Sequence, residues 1–198
     1  MAKIKLTGPV WFTSDWHFGH DREFIWKARG YSSVEEMNRE QVRKFNERVA
    51  PNDEVWMLGD AVFGDLEEGI KWLQQLNGKI HIILGNHDTL KREIAYQQLG
   101  WTVHDAVRFQ YKKLHFWASH YPTITQNLDE RKLWQAVIAL FAHTHQTTNF
   151  YNGNPYMYHV GVDSHDGYPV SIEQIVEDIR AEMKKCQELI YDKEEKND

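Results

Sequence analysis

The sequence predicts an α/β fold built on a largely parallel sheet. Two observations carry this reading. Short apolar runs alternate with amphipathic stretches of helical period. The first three runs each stop at polar or glycine residues, at Ser14-Asp15, Gly59-Asp60 and Gly85-Asn86. Strand, helix, strand, helix, strand in that order implies right-handed βαβ units.

Val10-Trp11-Phe12-Thr13 reads as the first buried strand. Ser33-Val34-Glu35-Glu36 has the spacing of a capping box, so a helix starts there. Val34, Met37, Val42, Phe45 and Val49 fall on one side of it, and Pro51-Asn52-Asp53 ends it. Val55 to Leu58 is the second strand. Leu66, Ile70, Leu73 and Leu76 mark another helix, closed by Asn77-Gly78. Ile80 to Leu84 is the third strand. Asn86-His87-Asp88 leads towards a helix at Thr89-Leu90-Lys91. In the second half, Val107–Tyr111 and Leu114–Ala118 form a hairpin across Lys112-Lys113, and Ala136–Ala142 is a further buried strand. Phe150-Tyr151 and Tyr156–Tyr158 flank a turn at Asn152-Gly153-Asn154. A second capping pattern, Ser171-Ile172-Glu173-Gln174, opens the last helix. A single domain over residues 1–190 and a charged, frayed tail over 191–198 are expected.

The chain has 198 residues, 41% hydrophobic and 26% charged. That excludes a wholly disordered chain, a collagen and a coiled-coil rod. Lys+Arg 23 against Asp+Glu 29 leaves a net charge of −6, so no global field draws in nucleic acid. A local basic patch at Lys112-Lys113 and Arg131-Lys132 stays open. There is one cysteine, Cys186. No run approaches the roughly 20 apolar residues of a membrane helix, and the first residues lack a signal-peptide core. A cytosolic protein is expected.

The 11 histidines decide the functional reading. Each buried strand is followed by metal-ligand types: Asp15 and His17, then Asp60, then Asn86 and His87, then His120, then His143 and His145. Carboxyl ends of parallel strands line one crevice, where ligands bind. Mixed oxygen and nitrogen donors suit Mn, Fe, Zn, Co or Ni rather than calcium. Asp60, from a central strand, is the natural bridge between two metals. Two divalent ions against Asp15, Asp60 and a hydroxide leave the site positive, which favours an anion such as a phosphate ester. His20, Arg22 and Trp16 are candidates to support the site or touch substrate, with Trp16 lining its mouth.

These motifs together resemble the calcineurin-like metallophosphoesterase superfamily. Asp15-Trp16-His17, Gly59-Asp60, Gly85-Asn86-His87-Asp88, His120 and His143-Thr144-His145 stand in the family's order, with Ala142 where the family usually has glycine. The resemblance implies a four-layer α/β/β/α sandwich of two mixed sheets. It implies that Asp15, His17 and His145 hold one metal, that Asn86, His120 and His143 hold the second, and that Asp60 bridges them. It implies that a metal-bound hydroxide attacks phosphorus, and that His87 gives a proton to the leaving group while Asp88 orients its ring. The expected activity is hydrolysis of phosphodiesters or phosphomonoesters with manganese as the leading cation. A small nucleotide-like substrate is expected rather than a membrane or nucleic acid. The competing readings are a nuclease of the same chemistry and a non-catalytic scaffold on the same fold.

Overall fold

The computed structural model describes residues 4, 6, 8–125 and 136–194, with side chains as far as Cys186. The patch at Arg131-Lys132 and the last four residues of the charged tail lie outside the described residues.

Two sheets face each other. The first has the order β4-β3-β2-β1-β9. Its strands are β1 (Val10–Thr13), β2 (Glu54–Met57), β3 (Lys79–Ile83), β4 (Thr102–His104) and β9 (Val170–Ser171). All pair in parallel except β9, which runs antiparallel to β1. The second sheet has the order β5-β6-β7-β8, with β5 (Ala106–Tyr111), β6 (Leu114–Ser119), β7 (Val137–Phe141) and β8 (Met157–His159). β5 and β6 are the predicted hairpin, and β6, β7 and β8 are parallel. Lys112 and Lys113 turn it with positive φ (44° and 68°), as a tight two-residue hairpin loop requires.

Alternation along each strand explains the apolar runs. Val10, Phe12, Trp56 and Ile83 point into the core between the sheets, where they meet Phe109, Phe116, Ile138 and Leu140. Val55, Met57, Ile80 and Ile82 point the other way. They are covered by α2 (Val34–Arg48), α3 (Leu66–Leu73) and α4 (Leu90–Gln98). Both faces are dry, so the strands read as nearly continuous hydrophobic runs. A short helix, α1 (Glu23–Trp26), follows the first loop, and α5 (Ile172–Glu194) seals the inter-sheet core with Ile172, Ile175, Val176 and Ile179. Two mixed sheets with flanking helices are the architecture the family resemblance implied.

The caps form where expected. Ser33 Oγ accepts from Glu36 N at 3.1 Å, and Ser171 Oγ accepts from Gln174 N at 3.1 Å. Glu36 does not complete the reciprocal box with Ser33; its carboxylate accepts from Ser32 N at 2.7 Å instead. The Asn152-Gly153 segment is not a tight hairpin turn, because residues 151–157 separate the one bridging pair. Tyr151–Gly153 is a 3-10 turn, and only Phe150 and Tyr158 bridge across it. Helical backbone in α5 runs to Glu194. Among the described residues, no helix is long and apolar enough to cross a membrane.

Candidate metal centre

The loops that follow β1, β2, β3, β6 and β7 meet at one edge of the sandwich. Asp15, His17, Asp60, His143 and His145 all have positive φ, between 49° and 68°. L-residues avoid that region at a cost of about 1–3 kcal/mol each, and such strain persists mainly where function over-determines the backbone. The loops are held to one another by backbone bonds: Asp15 N donates to Gly59 O (3.2 Å) and His17 N to Asp60 O (3.0 Å). Gly85 is needed beside them, because a Cβ there would stand 2.2 Å from Asp60 Oδ1.

Asp60 lies at the middle of the cluster and is 1% exposed. Its Oδ2 is 3.5 Å from His120 Nε2, 3.8 Å from His17 Nε2 and 3.9 Å from His87 Nε2. His17 Nε2 stands 3.3 Å from His145 Nε2 and 4.0 Å from Asp15 Oδ1. Asn86 Oδ1 lies 2.9 Å from His120 Nε2 and 2.8 Å from His143 Nδ1. Two sets of donor atoms each gather within 4.8 Å: Asp15, His17 and His145, and Asp15, Asp60 and His120.

This arrangement fits cations. His120 Nδ1 donates to Leu58 O at 2.7 Å. In the neutral ring that leaves Nε2 as a lone pair, aimed at the oxygens of Asn86 and Asp60. His145 Nδ1 likewise bonds Asp163 Oδ2 at 2.7 Å, which leaves its Nε2 facing that of His17. Where His120 Nε2 meets the Asn86 and Asp60 oxygens, lone pairs converge on lone pairs, and these repel unless a positive charge sits among them. Histidine ligands commonly give their other N–H to a carbonyl or carboxylate in this way. Asp15 Oδ1 is buried with no hydrogen-bond partner among the described residues.

The electrostatics agree. Burial pushes the Asp15 carboxyl up to about 6, and the lowering influence of His145 and His120 does not make up for its desolvation. Burial, helped by His145 and Arg29, brings His17 down to about 2, so the ring stays neutral and able to ligate. Burial opposes charge on Asp163 as well. Its hydrogen bond to His145 and the Arg29 guanidinium overcome this and hold the carboxyl well below the usual range.

Known proteins bear on this geometry. The calcineurin-like phosphoesterase superfamily domain matches residues 10–179. The chain belongs to the calcineurin-like phosphoesterase superfamily. It is 29% identical over 195 residues to the gene 66 protein of Mycobacterium phage D29, covering 86% of this chain and 96% of that one. It is 36% identical over 81 residues to an uncharacterised protein of Methanocaldococcus jannaschii, covering 40% of this chain and 46% of that one. Its fold is similar to the crystal structure of a protein of unknown function from Aquifex aeolicus. That match has a TM-score of 0.63 and 20% identity, covering 85% of this chain and 98% of that one.

Within this phosphoesterase, the seven residues expected to bind metal come together: Asp15, His17, Asp60, Asn86, His120, His143 and His145. His87 joins them at the rim, its side chain 39% exposed. Two expectations are corrected. Trp16 does not line the mouth; it is fully buried, stacked on Phe18 (5.7 Å) and edge-on to Phe45 (5.5 Å). The left-handed turns at Asp15 and His17 send both side chains to the cluster and the intervening indole to the helix layer. Asp88 does not orient the His87 ring. Its carboxylate accepts from Asp60 N (2.8 Å), Gly85 N (2.8 Å) and Tyr96 OH (2.7 Å), so it braces the loop that carries Asp60. Arg22 is exposed and joins the cluster through its backbone N–H to His20 Nδ1 (3.4 Å). His20 is buried, with its ring stacked 3.8 Å from Phe63, whose edge packs on His87 (4.8 Å).

Sequence reasoning missed Arg29, Phe63 and the role of Asp163. Arg29 donates to Asp15 O (2.8 Å) and Trp16 O (3.2 Å) and to both oxygens of Asp163. Asp163 follows Gly161-Val162 after the last motif, which was its only signal. Arg29 carries none.

Proposed function

We propose that the protein hydrolyses phosphate esters, diesters or monoesters, at a site for two divalent metals, with manganese leading and Fe, Zn, Co or Ni admitted by the donor set. The observation that carries this is Asp60 Oδ2, one buried carboxylate oxygen within 3.5–3.9 Å of imidazole nitrogens from three separate loops. Asp15, His17 and His145 would hold one metal; Asn86, His120 and His143 would hold the other, with Asp60 between. When bound, such a pair would neutralise phosphate oxygens and bring the pKa of a water from about 15.7 to about 7. His87 is the residue at the rim free to hand a proton to the leaving oxygen. Its backbone N–H is fixed on Asp60 Oδ1 (2.9 Å), and its ring leans on Phe63. Asp163 and Leu58 O set the tautomers of His145 and His120.

A small substrate is favoured over a nucleic-acid track. Lys112 and Lys113 stand at the start of β6, whereas His120 follows its end. Six residues of strand put them about 20 Å from the site. With one cysteine and no candidate membrane helix among the described residues, we place this activity in the cytosol.

The test is elemental analysis after loading with Mn, paired with hydrolysis of p-nitrophenyl and bis-p-nitrophenyl phosphate. About two metals per chain and turnover are expected, with His87→Gln slowing phenyl phosphate far more than p-nitrophenyl phosphate. A protein that takes up no metal and leaves both esters intact sinks the reading.

A further inference from the structure

A cavity of about 410 Å³ opens on the α1 side of the metal cluster. Its size falls within the roughly 300–1,000 Å³ of small-molecule sites. His145 forms part of its wall, so it adjoins the ligand cluster. Phe24, Ile25 and Tyr31 give it apolar and aromatic sides, and Gln41 and Lys44 reach it from α2.

Gln41 is the unusual member. It is 1% exposed, and neither its Oε1 nor its Nε2 has a hydrogen-bond partner among the described residues. A buried amide with both ends unpaired is costly and uncommon. The neighbouring charges are already engaged: Arg29 with Asp163, Asp163 with His145, and Lys44 Nζ with the Asp166 carbonyl at 2.6 Å. Among the lining residues, Gln41 carries an unpaired acceptor and an unpaired NH₂ donor on a single planar amide, beside aromatic rings. That is the complement of a nucleobase edge. A Gln amide pairs with adenine through its oxygen to the exocyclic amine and its NH₂ to a ring nitrogen, and base rings stack on aromatic side chains.

We propose that this cavity binds the base of a nucleoside phosphate ester, with Gln41 reading the base edge and Phe24 and Tyr31 flanking the ring. The placement of the phosphate rests on the phosphoesterase reading above; recognition of the base rests on the cavity alone. A leaving group without a hydrogen-bonding edge would leave Gln41 unpaired, so the cavity discriminates against it.

The test is calorimetric titration of the full chain, without added manganese, using adenosine 5′-monophosphate and ribose 5-phosphate. The base-bearing ligand is expected to bind at least about tenfold more tightly. Gln41→Met is expected to close most of that gap while leaving ribose 5-phosphate where it was. Phe24→Ala changes a residue that is 70% exposed, so it gives a second reading even if the buried substitution disrupts folding; a severalfold loss for the adenosine ligand alone is expected. Equal affinity for the two ligands overturns the proposal, as does a gap that survives both substitutions. A single-stranded deoxyadenosine ten-mer separates the sources of the base. Tighter, steeply salt-dependent binding indicates a strand end, and affinity no better than the monophosphate indicates a free nucleotide. Failure of the phosphoesterase reading would appear separately, as inert bis-p-nitrophenyl phosphate with the base preference intact.

Discussion

At His145 the ring nitrogen that faces away from the cluster meets Asp163 at 2.7 Å, and Arg29 grips the same carboxylate at 2.8 and 3.1 Å. Burial alone would make His145 harder to protonate. The hydrogen bond to Asp163 and the nearby Asp15 charge reverse that and raise its pKa. The effect on ligation is orientation: with Nδ1–H committed to a carboxylate, Nε2 is left basic and aimed at the site. Asp163→Asn keeps the shape but removes the charge, and its amide can present a donor to Nδ1, which favours the wrong tautomer. Manganese affinity is expected to fall about 10–100-fold, the usual effect of losing such a partner. Titration against a competing chelator measures it, and an unchanged affinity would remove Asp163 from the account. Asp88 illustrates the same economy at another position. Its three donors are Asp60 N, Gly85 N and Tyr96 OH, so it fixes the loop of the central carboxylate.

Among the elements, strands and helices follow local rules closely. Ser33 caps α2 through Glu36 N, and α2 buries Met37, Val42 and Phe45 against the sheet at helical spacing. Replacing Ser33 with Ala leaves a free N–H at the helix start and is expected to cost about 1 kcal/mol. For a chain of this size that lowers Tm by about 2–4 °C. Thermal melting measures it, and no shift would mean Glu36 N finds another acceptor. The five left-handed residues of the cluster belong to this scale too. They stand where strands hand over to loops, so β1, β2 and β7 each end by turning side chains sharply into the crevice. Two short elements, α1 and β9, carry too few residues for a periodic signal. Their partners make them: β9 exists through its pairing with β1, and α1 lies beside α2.

Across the whole molecule, the site joins the two sheets. Asp15, Asp60 and Asn86 follow strands of the first sheet, whereas His120, His143 and His145 follow strands of the second. Their contacts span up to 128 residues of chain, as between His17 and His145. A cation held by both sets ties the sheets together and binds only the folded form. Stability then rises with metal by mass action, by about 2.7 kcal/mol at a hundredfold excess over Kd. Manganese is therefore expected to raise Tm by on the order of 5–10 °C, reversed by a chelator. Differential scanning calorimetry with and without metal checks this; an unmoved Tm in protein shown to contain metal would mean the site does not link the sheets.

The sequence by itself determined the alternation of strands and helices, the caps at Ser33 and Ser171, the Lys112-Lys113 turn and the identity of the metal-ligand types at the strand ends. These depend on period, turn chemistry and side-chain donors, all of which act over a few residues. Tertiary structure alone decided that Trp16 packs inward, that Asp88 serves the Asp60 loop, and that Arg29 reaches Asp163 across 134 residues. It also decided that Gln41, an unremarkable residue on a helix, faces a cavity with its amide unpaired. Which face a side chain takes and which partner meets it depend on how separate elements pack, and no local pattern carries that information.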